Sequence, residues 1–275
     1  MKQQNKYKKI IVVAGVPRSG TSWLSQIIDS SPQVRMRFQP LFSYAFKDAV
    51  NEDSSKKEYN NFFNGIYKSN DDFLLQSDKR KSGIYPTFSK DKNQNILAFK
   101  AVRYHYLLEP MLRKFKHLKV VGIIRHPCAV MNSWINNPSE FPAGCNSLNE
   151  WRHGMCKNSG PEDFFGYYKW KEVANMYLDL KDKYPKRVYI LKYEDLVLKT
   201  EKNNKDLFSF MGLPLKKQTL DFIQESTKKH IDNPYSVYKN KSVIDKWKKQ
   251  LNPKIIKEIY ADLEKTRLEK YLKCT

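Results

Sequence analysis

Two short segments of the sequence combine basic and hydroxyl side chains, and each directly follows an apolar run. The first, residues 15–22, reads Gly-Val-Pro-Arg-Ser-Gly-Thr-Ser and follows the run KIIVVA at residues 9–14. Its two glycines have the spacing of the phosphate-binding loop G-x-x-x-x-G. Such a loop directs backbone N–H groups and the positive end of a helix dipole toward one point. The segment therefore predicts a binding site for a phosphate or another anion.

The cation of this loop is not where a nucleoside-triphosphate hydrolase would have it. Thr21 occupies the position of the usual lysine, and Arg18 lies inside the loop instead. The sequence also has no clear strand-final aspartate of the kind that holds Mg²⁺ in such enzymes. Metal-dependent nucleotide chemistry is therefore poorly supported, and a kinase with an atypical loop is kept as an alternative.

The second segment begins at Arg125, after the apolar run of residues 118–124. Pro127 suits the first position of a helix, where the missing N–H costs nothing. Ser133 lies about 9 Å further along the axis of that helix, at 1.5 Å per residue. We expect the Arg125 side chain to fold over the first turn and to share one anion with the Ser133 hydroxyl. Two such sites on neighbouring strands would suit a nucleotide with two separated phosphate groups.

Alternating strands and helices must position both segments. The apolar runs predict strands at residues 9–14, 95–102, 118–124 and 187–192. Helical patterns follow at about residues 167–182, 201–211, 217–229 and 253–273. This alternation is typical of an α/β fold, and we expect a single domain, residues 1–275, with a central, mainly parallel sheet flanked by helices and a P-loop-like first βα unit. Ligands of such sheets bind at the carboxyl ends of the strands. Residues 137–166, rich in proline and glycine, are predicted to form a loop or lid.

The composition excludes several classes of protein. The 275 residues include 50 Lys and Arg against 29 Asp and Glu, a net charge of +21 that attracts anions of any kind. The longest apolar run, Ile10–Val16, is far shorter than the roughly 20 residues of a membrane span, so we expect a buried strand and no secretion signal. Four cysteines without a C-x-x-C pair predict no metal framework, and reduced thiols in the cytoplasm are the default. A binder of acidic polymers stays an alternative, although no nucleic-acid motif is present and no nucleic-acid partner is expected.

Together these motifs resemble the sulfotransferases that use 3′-phosphoadenosine 5′-phosphosulfate (PAPS). Residues 17–23 are similar to the 5′-phosphosulfate loop of that family, and residues 125–133 to its 3′-phosphate motif. The Tyr-Glu-Asp-Leu sequence at residues 193–196 is a further family feature, and the region around Trp247 resembles a segment that covers the cofactor. The resemblance implies sulfuryl transfer from PAPS, without a metal, to a hydroxyl or amine of a small-molecule acceptor. Arg18 is typical of the carbohydrate-type members, which favours a carbohydrate-like acceptor.

The resemblance also assigns roles to individual residues. Arg18 would act in catalysis and would hold the 5′-phosphosulfate together with Ser19, Gly20, Thr21 and Ser22. Arg125 and Ser133 would bind the 3′-phosphate. Trp23 and Tyr193 would lie near the adenine, although Trp23 equally suits a core position. Lys241, with Lys239 and Ser242, would approach the cofactor from the covering segment at residues 231–252.

The catalytic base is the point at which the sequence departs from the family. Carbohydrate-type relatives often have Glu-Pro-Leu after the first helix, whereas this chain has Gln39 there, and an amide cannot take a proton. Cytosolic relatives use a histidine two residues after a strand lysine, whereas here Val102 follows Lys100 at that distance. His105, three residues further on, is therefore the candidate base, with a partly buried structural histidine as the alternative. Phe38, Gln39 and His105 are expected to contact the acceptor.

Overall fold

Within the described residues, five parallel strands form a central sheet. The protein is represented by a computed structural model that describes residues 6–229, 231, 233, 235–238 and 241–273, without the side chain of Lys241. The strands are β1 (Lys9–Ala14), β2 (Val34–Phe38), β3 (Ile96–Ala101), β4 (Leu118–Ile124) and β5 (Val188–Lys192). Their order across the sheet is β2-β3-β1-β4-β5, and all adjacent pairs are parallel. The predicted α/β class is confirmed.

Helices cover both faces of this sheet. The earlier helices are α1 (Thr21–Asp29), α2 (Lys56–Lys68), α3 (Asp72–Leu75), α4 (Ser77–Lys81), α5 (Leu108–Lys114) and α6 (Pro127–Ile135). The later helices are α7 (Ser147–Glu150), α8 (Tyr167–Lys183), α9 (Tyr193–Leu198), α10 (Thr200–Met211), α11 (Lys217–Lys228), α12 (Trp247–Gln250) and α13 (Pro253–Leu263). Short 3₁₀ turns lie at Pro40–Phe42, His105–Leu107, Lys241–Ile244 and Glu269–Tyr271.

The central strand β1 separates two hydrophobic cores. Ile10 and Val12 belong to the core that α2, α5, α6, α8 and α13 cover, and Ile11 and Val13 belong to the core under α1, α10 and α11. Successive side chains of a strand point to opposite faces, so a strand buried on both faces must be apolar throughout. This explains why the run at residues 9–14 has no polar interruption after Lys9.

Strand β2 is absent from the sequence prediction because arginines interrupt its apolar pattern. Arg37 is nevertheless buried, and its guanidinium donates hydrogen bonds to the backbone oxygens of Ile66, Tyr67 and Ser69. These acceptors lie at the end of α2 and just after it, about 30 residues further along the chain. A charged side chain can occupy such a position because its donors are satisfied there.

Two other predictions concern the later part of the chain. The single helix expected from residue 253 to about 273 is wrong: α13 ends at Leu263, and Lys265 has a positive φ of 60°. Between residues 137 and 166 the only helix in the described structure is the short α7. The role of that segment as a lid stays a prediction. No helix within the described ranges combines the length and apolar character needed to cross a membrane.

Candidate active site

The loop between β1 and α1 is tightly folded around its glycines. Arg18 and Gly20 have positive φ angles of 70° and 90°, and α1 begins directly afterwards. A Cβ atom on Gly20 would lie 2.5 Å from ring atoms of Tyr193, and one on Gly15 would lie 2.7 Å from Thr21 Cγ2. Glycine is the residue that tolerates both the left-handed backbone and these close approaches. The sharp turn that the glycine spacing predicted is therefore present.

Hydrogen bonds join this loop to the segment that follows β4. Arg18 Nε donates to Ser133 Oγ over 3.1 Å, and Arg125 Nη1 donates to the backbone oxygen of Arg18 over 3.0 Å. The Arg125 guanidinium also lies 4.7 Å from the centre of the Tyr193 ring. Because β1 and β4 are adjacent strands, the two candidate anion sites lie side by side and share these contacts.

A cavity of about 350 Å³ opens at the carboxyl ends of β1, β3 and β4. The sequence-predicted residues on its wall are Arg18, Gly20, Thr21, Ser22, Trp23, Phe38, Gln39, Arg125, Ser133 and Tyr193. Ser19 is fully buried inside the loop and does not line the cavity. Lys79, Lys100 and Lys246 add further positive charge to the wall. The cavity therefore suits a ligand with negative charges at more than one point.

Buried donors on the cavity wall support an anionic ligand. Arg125 Nε and Trp247 Nε1 are buried and have no hydrogen-bond partner among the described residues. Both are obligatory donors, because an arginine Nε–H and an indole N–H cannot accept. Burial of a donor without an acceptor costs about 1–3 kcal/mol. An anion bound in the cavity would supply the missing acceptors.

The residues near the C-terminus contribute part of the wall. Val237, Val243 and Trp247 line the cavity, and the oxygen of Val243 accepts a hydrogen bond from Arg125 Nη2 at 3.3 Å. Lys239 and the side chain of Lys241, two of the predicted cofactor contacts, lie outside the described residues. The covering role of residues 231–252 stays a prediction that these contacts support.

Trp23 is part of the hydrophobic core and also lines the cavity. It lines the cavity, its ring meets the edge of Tyr193 at a centroid distance of 6.2 Å, and its indole N–H donates to Ser226 Oγ over 2.9 Å. That last bond ties α1 to α11 across the core. The two interpretations offered by the sequence are thus compatible.

His105, expected to be the base and an acceptor contact, does not reach the cavity. Its ring is fully buried against Phe164 and Tyr177, with centroid distances of 4.6 and 5.8 Å, and Nδ1 lies 3.1 Å from the Tyr177 hydroxyl. Burial lowers the pKa of His105 to about 3. A group held there has no route to a molecule in the cavity, so the structure corrects this assignment.

Lys100, which the sequence analysis used only as a landmark, lies on the cavity wall. Its Nζ donates to Ser22 Oγ over 2.8 Å and lies 4.4 Å from the centre of the Phe38 ring. Burial, with a smaller effect from the nearby Lys79, lowers the pKa of Lys100 to about 7. A lysine near the end of an otherwise apolar strand was the signal that could have identified it, because a strand buried on both faces rarely contains a charge.

The cavity wall also carries five side-chain amides and one acid. Glu140, on the turn after α6, has Oε1 3.7 Å from Arg18 Nη1. The amides that line the cavity are Gln39, Asn132, Asn136, Asn137 and Gln250. Apart from Gln39, none of these residues was singled out from the sequence, since no local motif identifies them.

Comparison with known proteins agrees with this geometry. A family model described as "Sulfotransferase domain" matches residues 8–271. Carbohydrate sulfotransferase 3 of Tetronarce californica is 28% identical over 169 residues, which are 55% of this chain and 35% of that protein. The match thus spans about a third of the length of that relative.

Solved structures of low sequence identity share the fold. Mouse sulfotransferase SULT7A1, complexed with PAP, has a TM-score of 0.55 at 14% identity, over 96% of this chain and 88% of that one. The sulfotransferase domain from the curacin biosynthetic pathway has a TM-score of 0.52 at 17% identity, over 93% and 97%. Because the family model covers nearly the whole chain, the protein belongs to the sulfotransferase family.

Proposed function

We propose that the protein transfers a sulfuryl group from PAPS to a hydroxyl or amine of a carbohydrate-like or other small-molecule acceptor. The observation that carries this proposal is the pair of joined loops, in which Arg18 reaches Ser133 and Arg125 reaches the backbone of Arg18 at one cavity. Two cations at one cavity, each beside a candidate anion site, would suit a donor that carries negative charge at both ends.

The donor residues follow from this placement. Arg18 and the backbone N–H groups of residues 19–22, with the hydroxyls of Thr21 and Ser22, would hold the 5′-phosphosulfate at the start of α1. Arg125 and Ser133 would hold the 3′-phosphate, and Tyr193 with Trp23 would flank the adenine. Trp247, in the region that resembles a cofactor-covering segment, would supply a further donor through Nε1.

The bound donor supplies an activated sulfuryl group, and the protein supplies position and charge. Negative charge develops on the oxygen that leaves with the nucleotide, so fixed cations close to it lower the barrier. Arg18 and Lys100 both lie at the phosphosulfate loop, where Lys100 Nζ is bonded to Ser22 Oγ. We therefore assign leaving-group stabilisation to Arg18, assisted by Lys100.

The amide-rich wall supports a polyhydroxylated acceptor. Each amide both donates and accepts hydrogen bonds, which matches hydroxyl groups of a sugar better than an aliphatic ligand. Gln39 directly follows β2 and has a left-handed backbone (φ 39°), and in the Pro40–Phe42 turn after it only Phe42 is exposed. We place the acceptor against Phe38 and Gln39. A cytoplasmic location, expected from the sequence, stays a prediction.

A thermal-shift titration tests donor binding. We expect 3′-phosphoadenosine 5′-phosphate (PAP) to raise the melting temperature in the presence of EDTA, because saturation at 100 times Kd stabilises a protein by about 2.7 kcal/mol. ATP with Mg²⁺ and a DNA duplex serve as comparison ligands for the kinase and acidic-polymer alternatives. A flat response to PAP with stabilisation by Mg²⁺-ATP would contradict the proposal.

A transfer assay tests the reaction itself. Protein is incubated with [³⁵S]PAPS and a panel of sugars, phenols and amines, and labelled product is separated from the donor. We expect label on hydroxylated sugars, and about 100-fold less label or lower still with the Arg18→Ala variant. Binding of PAP without transfer to any member of the panel would place the protein among nucleotide binders.

A further inference from the structure

One turn of the chain presents a carboxylate and an amide to the cavity. The turn comprises residues 137–141, directly after α6. Among the described residues that line the cavity, Glu140 is the only carboxylate, and histidine is absent. Gln39 and His105 cannot take a proton from a molecule there. Apart from Glu140, the described lining of the cavity has no carboxylate or imidazole to accept this proton, and Lys100 is assigned to the leaving group.

The unpaired atoms of this turn are complementary to a hydroxyl group. Glu140 Oε2 and Asn137 Nδ2 are both buried and have no hydrogen-bond partner in the described part of the chain. Asn137 is only 2% exposed, and its Oδ1 accepts from the N–H of Ser139 at 3.2 Å, which directs Nδ2 away from that contact. One atom can only accept and the other can only donate. A hydroxyl between them would satisfy both.

The turn is held rigidly enough to position these groups. The Glu140 N–H donates to the oxygen of Asn137 over 2.9 Å, and the Glu140 oxygen accepts from the indole of Trp134 at 3.1 Å. Trp134 is itself buried and packs edge-on against Phe141 with a centroid distance of 5.2 Å. Groups whose supporting contacts are fixed in this way keep the geometry that catalysis requires.

Glu140 also lies where the sulfuryl group is expected. Its Oε1 is 3.7 Å from Arg18 Nη1, and its charge acts on both Lys79 and Lys100. Arg18 and Lys100 belong to the phosphosulfate end of the cavity. A carboxylate at this distance can face an acceptor while the cations face the donor.

We propose that Glu140 is the general base of the transfer reaction and that Asn137 orients the acceptor hydroxyl, an inference that rests on the proposed function. The acceptor oxygen forms a bond to sulfur as the bond from sulfur to the 5′-phosphate oxygen breaks, and that electron pair leaves with PAP. The hydroxyl proton passes to Glu140 Oε2 and then to solvent.

The alternative is that Glu140 only holds Arg18 in place. The variant Glu140→Gln separates the two roles, with Glu162→Gln as the matched control because Glu162 is on the same long loop and does not line the cavity. Binding of PAP is measured by calorimetry for each protein. If the wild type does not bind PAP, the proposed function itself is wrong. A base role predicts that Glu140→Gln binds PAP at least as tightly as the wild type, since a negative charge near the donor is removed.

Sulfuryl transfer is then compared for two probe acceptors and for water. Methyl α-D-glucoside keeps its hydroxyl protons, whereas 4-nitrophenol is ionised at mildly alkaline pH and needs no base. Glu140→Gln should lower transfer to the glucoside by about 100-fold or more and transfer to 4-nitrophenol by less than about threefold. Hydrolysis of PAPS, in which water is the acceptor, is measured in the same reactions as released sulfate. Glu140→Gln should lower the rate of hydrolysis as it lowers transfer to the glucoside.

Three results would overturn the inference. The first is an equal loss with both acceptors together with weaker PAP binding, which indicates a structural role through Arg18. The second is a Glu140→Gln variant that still sulfates the glucoside at the wild-type rate. The third is a wild type that binds PAP but transfers the sulfuryl group to neither probe and releases no sulfate. In that case Glu140 and Asn137 do not position a hydroxyl group against the donor.

Discussion

The donor side and the acceptor side of the cavity are built from different kinds of structure. The proposed phosphate contacts of the donor side come mainly from the short loops that directly follow β1 and β4, in which residues near in sequence lie together. Tyr193 and Trp247 complete the donor side from further along the chain. The proposed acceptor side combines Phe38 and Gln39, at the end of β2, with Asn137 and Glu140 after α6, about 100 residues further along the chain. In the proposed reaction, local geometry would therefore determine how the phosphates of the donor are held, while long-range packing would determine what receives the sulfuryl group.

The largest effect should come from removing Arg18. Arg18→Ala should lower kcat by about 100- to 1000-fold, the loss typical of one preorganised donor to a developing negative charge, with a smaller change in the Kd of PAP. Arg125→Ala should do the reverse and mainly weaken PAP binding. Steady-state kinetics with calorimetry measure both, and the opposite pattern would exchange the roles of the two loops.

Replacement of Gly20 should test how tightly the donor loop is packed. Gly20→Ala should cost about 2 kcal/mol more than Gly83→Ala, because both residues have positive φ but only Gly20 lies against the Tyr193 ring. For a chain of this size that difference lowers the melting temperature by about 4–8 °C. Equal melting temperatures for the two variants would show that the loop yields to the added methyl group.

Lys100 should make donor binding depend on pH. Its pKa of about 7 in the folded protein lies below the ordinary 10.5, so between these values the unfolded chain holds more protons and this group makes stability rise with pH. A bound anion favours charged Lys100, so PAP affinity should fall as pH rises above about 7, by at most about tenfold per pH unit.

Calorimetry in buffers of different ionisation enthalpy measures this linkage. Wild-type protein should take up protons when PAP binds at a pH above 7, and Lys100→Met should take up fewer. The same uptake in both proteins would assign the proton to another group.

The smallest effect should appear on the acceptor side. Gln39→Asn keeps an amide and a residue tolerant of the left-handed backbone but shortens its reach by one methylene. Loss of one hydrogen bond should raise the KM of a sugar acceptor by about three- to tenfold without changing the Kd of PAP. A parallel change in both constants would show that the two sides of the cavity are not separate.

Local sequence patterns were sufficient to predict the two loops that we assign to the donor. Strand β1 and the glycine spacing after it predicted the loop, and Arg125 with Pro127 predicted the start of α6. These features depend on residues that are near one another in the chain, which is why they could be recognised without the structure.

The acceptor side could not be predicted in this way. Strand β2 carries arginines whose hydrogen-bond partners lie about 30 residues away in the chain. The position of Glu140 depends on a hydrogen bond from the Trp134 indole to its backbone oxygen, and no sequence spacing predicts that contact. His105 was misplaced because Tyr104, with a positive φ of 57°, turns the chain after β3 and directs the next residue into the core. Strand alternation fixed the position of Lys100, but its depressed pKa arises from three-dimensional neighbours.

The hydrogen bond from Arg125 to the backbone of Arg18 should couple the effects of substitutions at these two residues. Since the guanidinium that we propose for the 3′-phosphate donates to the backbone of the residue that we propose for the phosphosulfate, losses at the two positions should not add, and a double-mutant cycle should reveal their coupling. Fragments that carry only one of the two charged groups should then help each other to bind. Altered donor preference would accordingly require substitutions at both ends together.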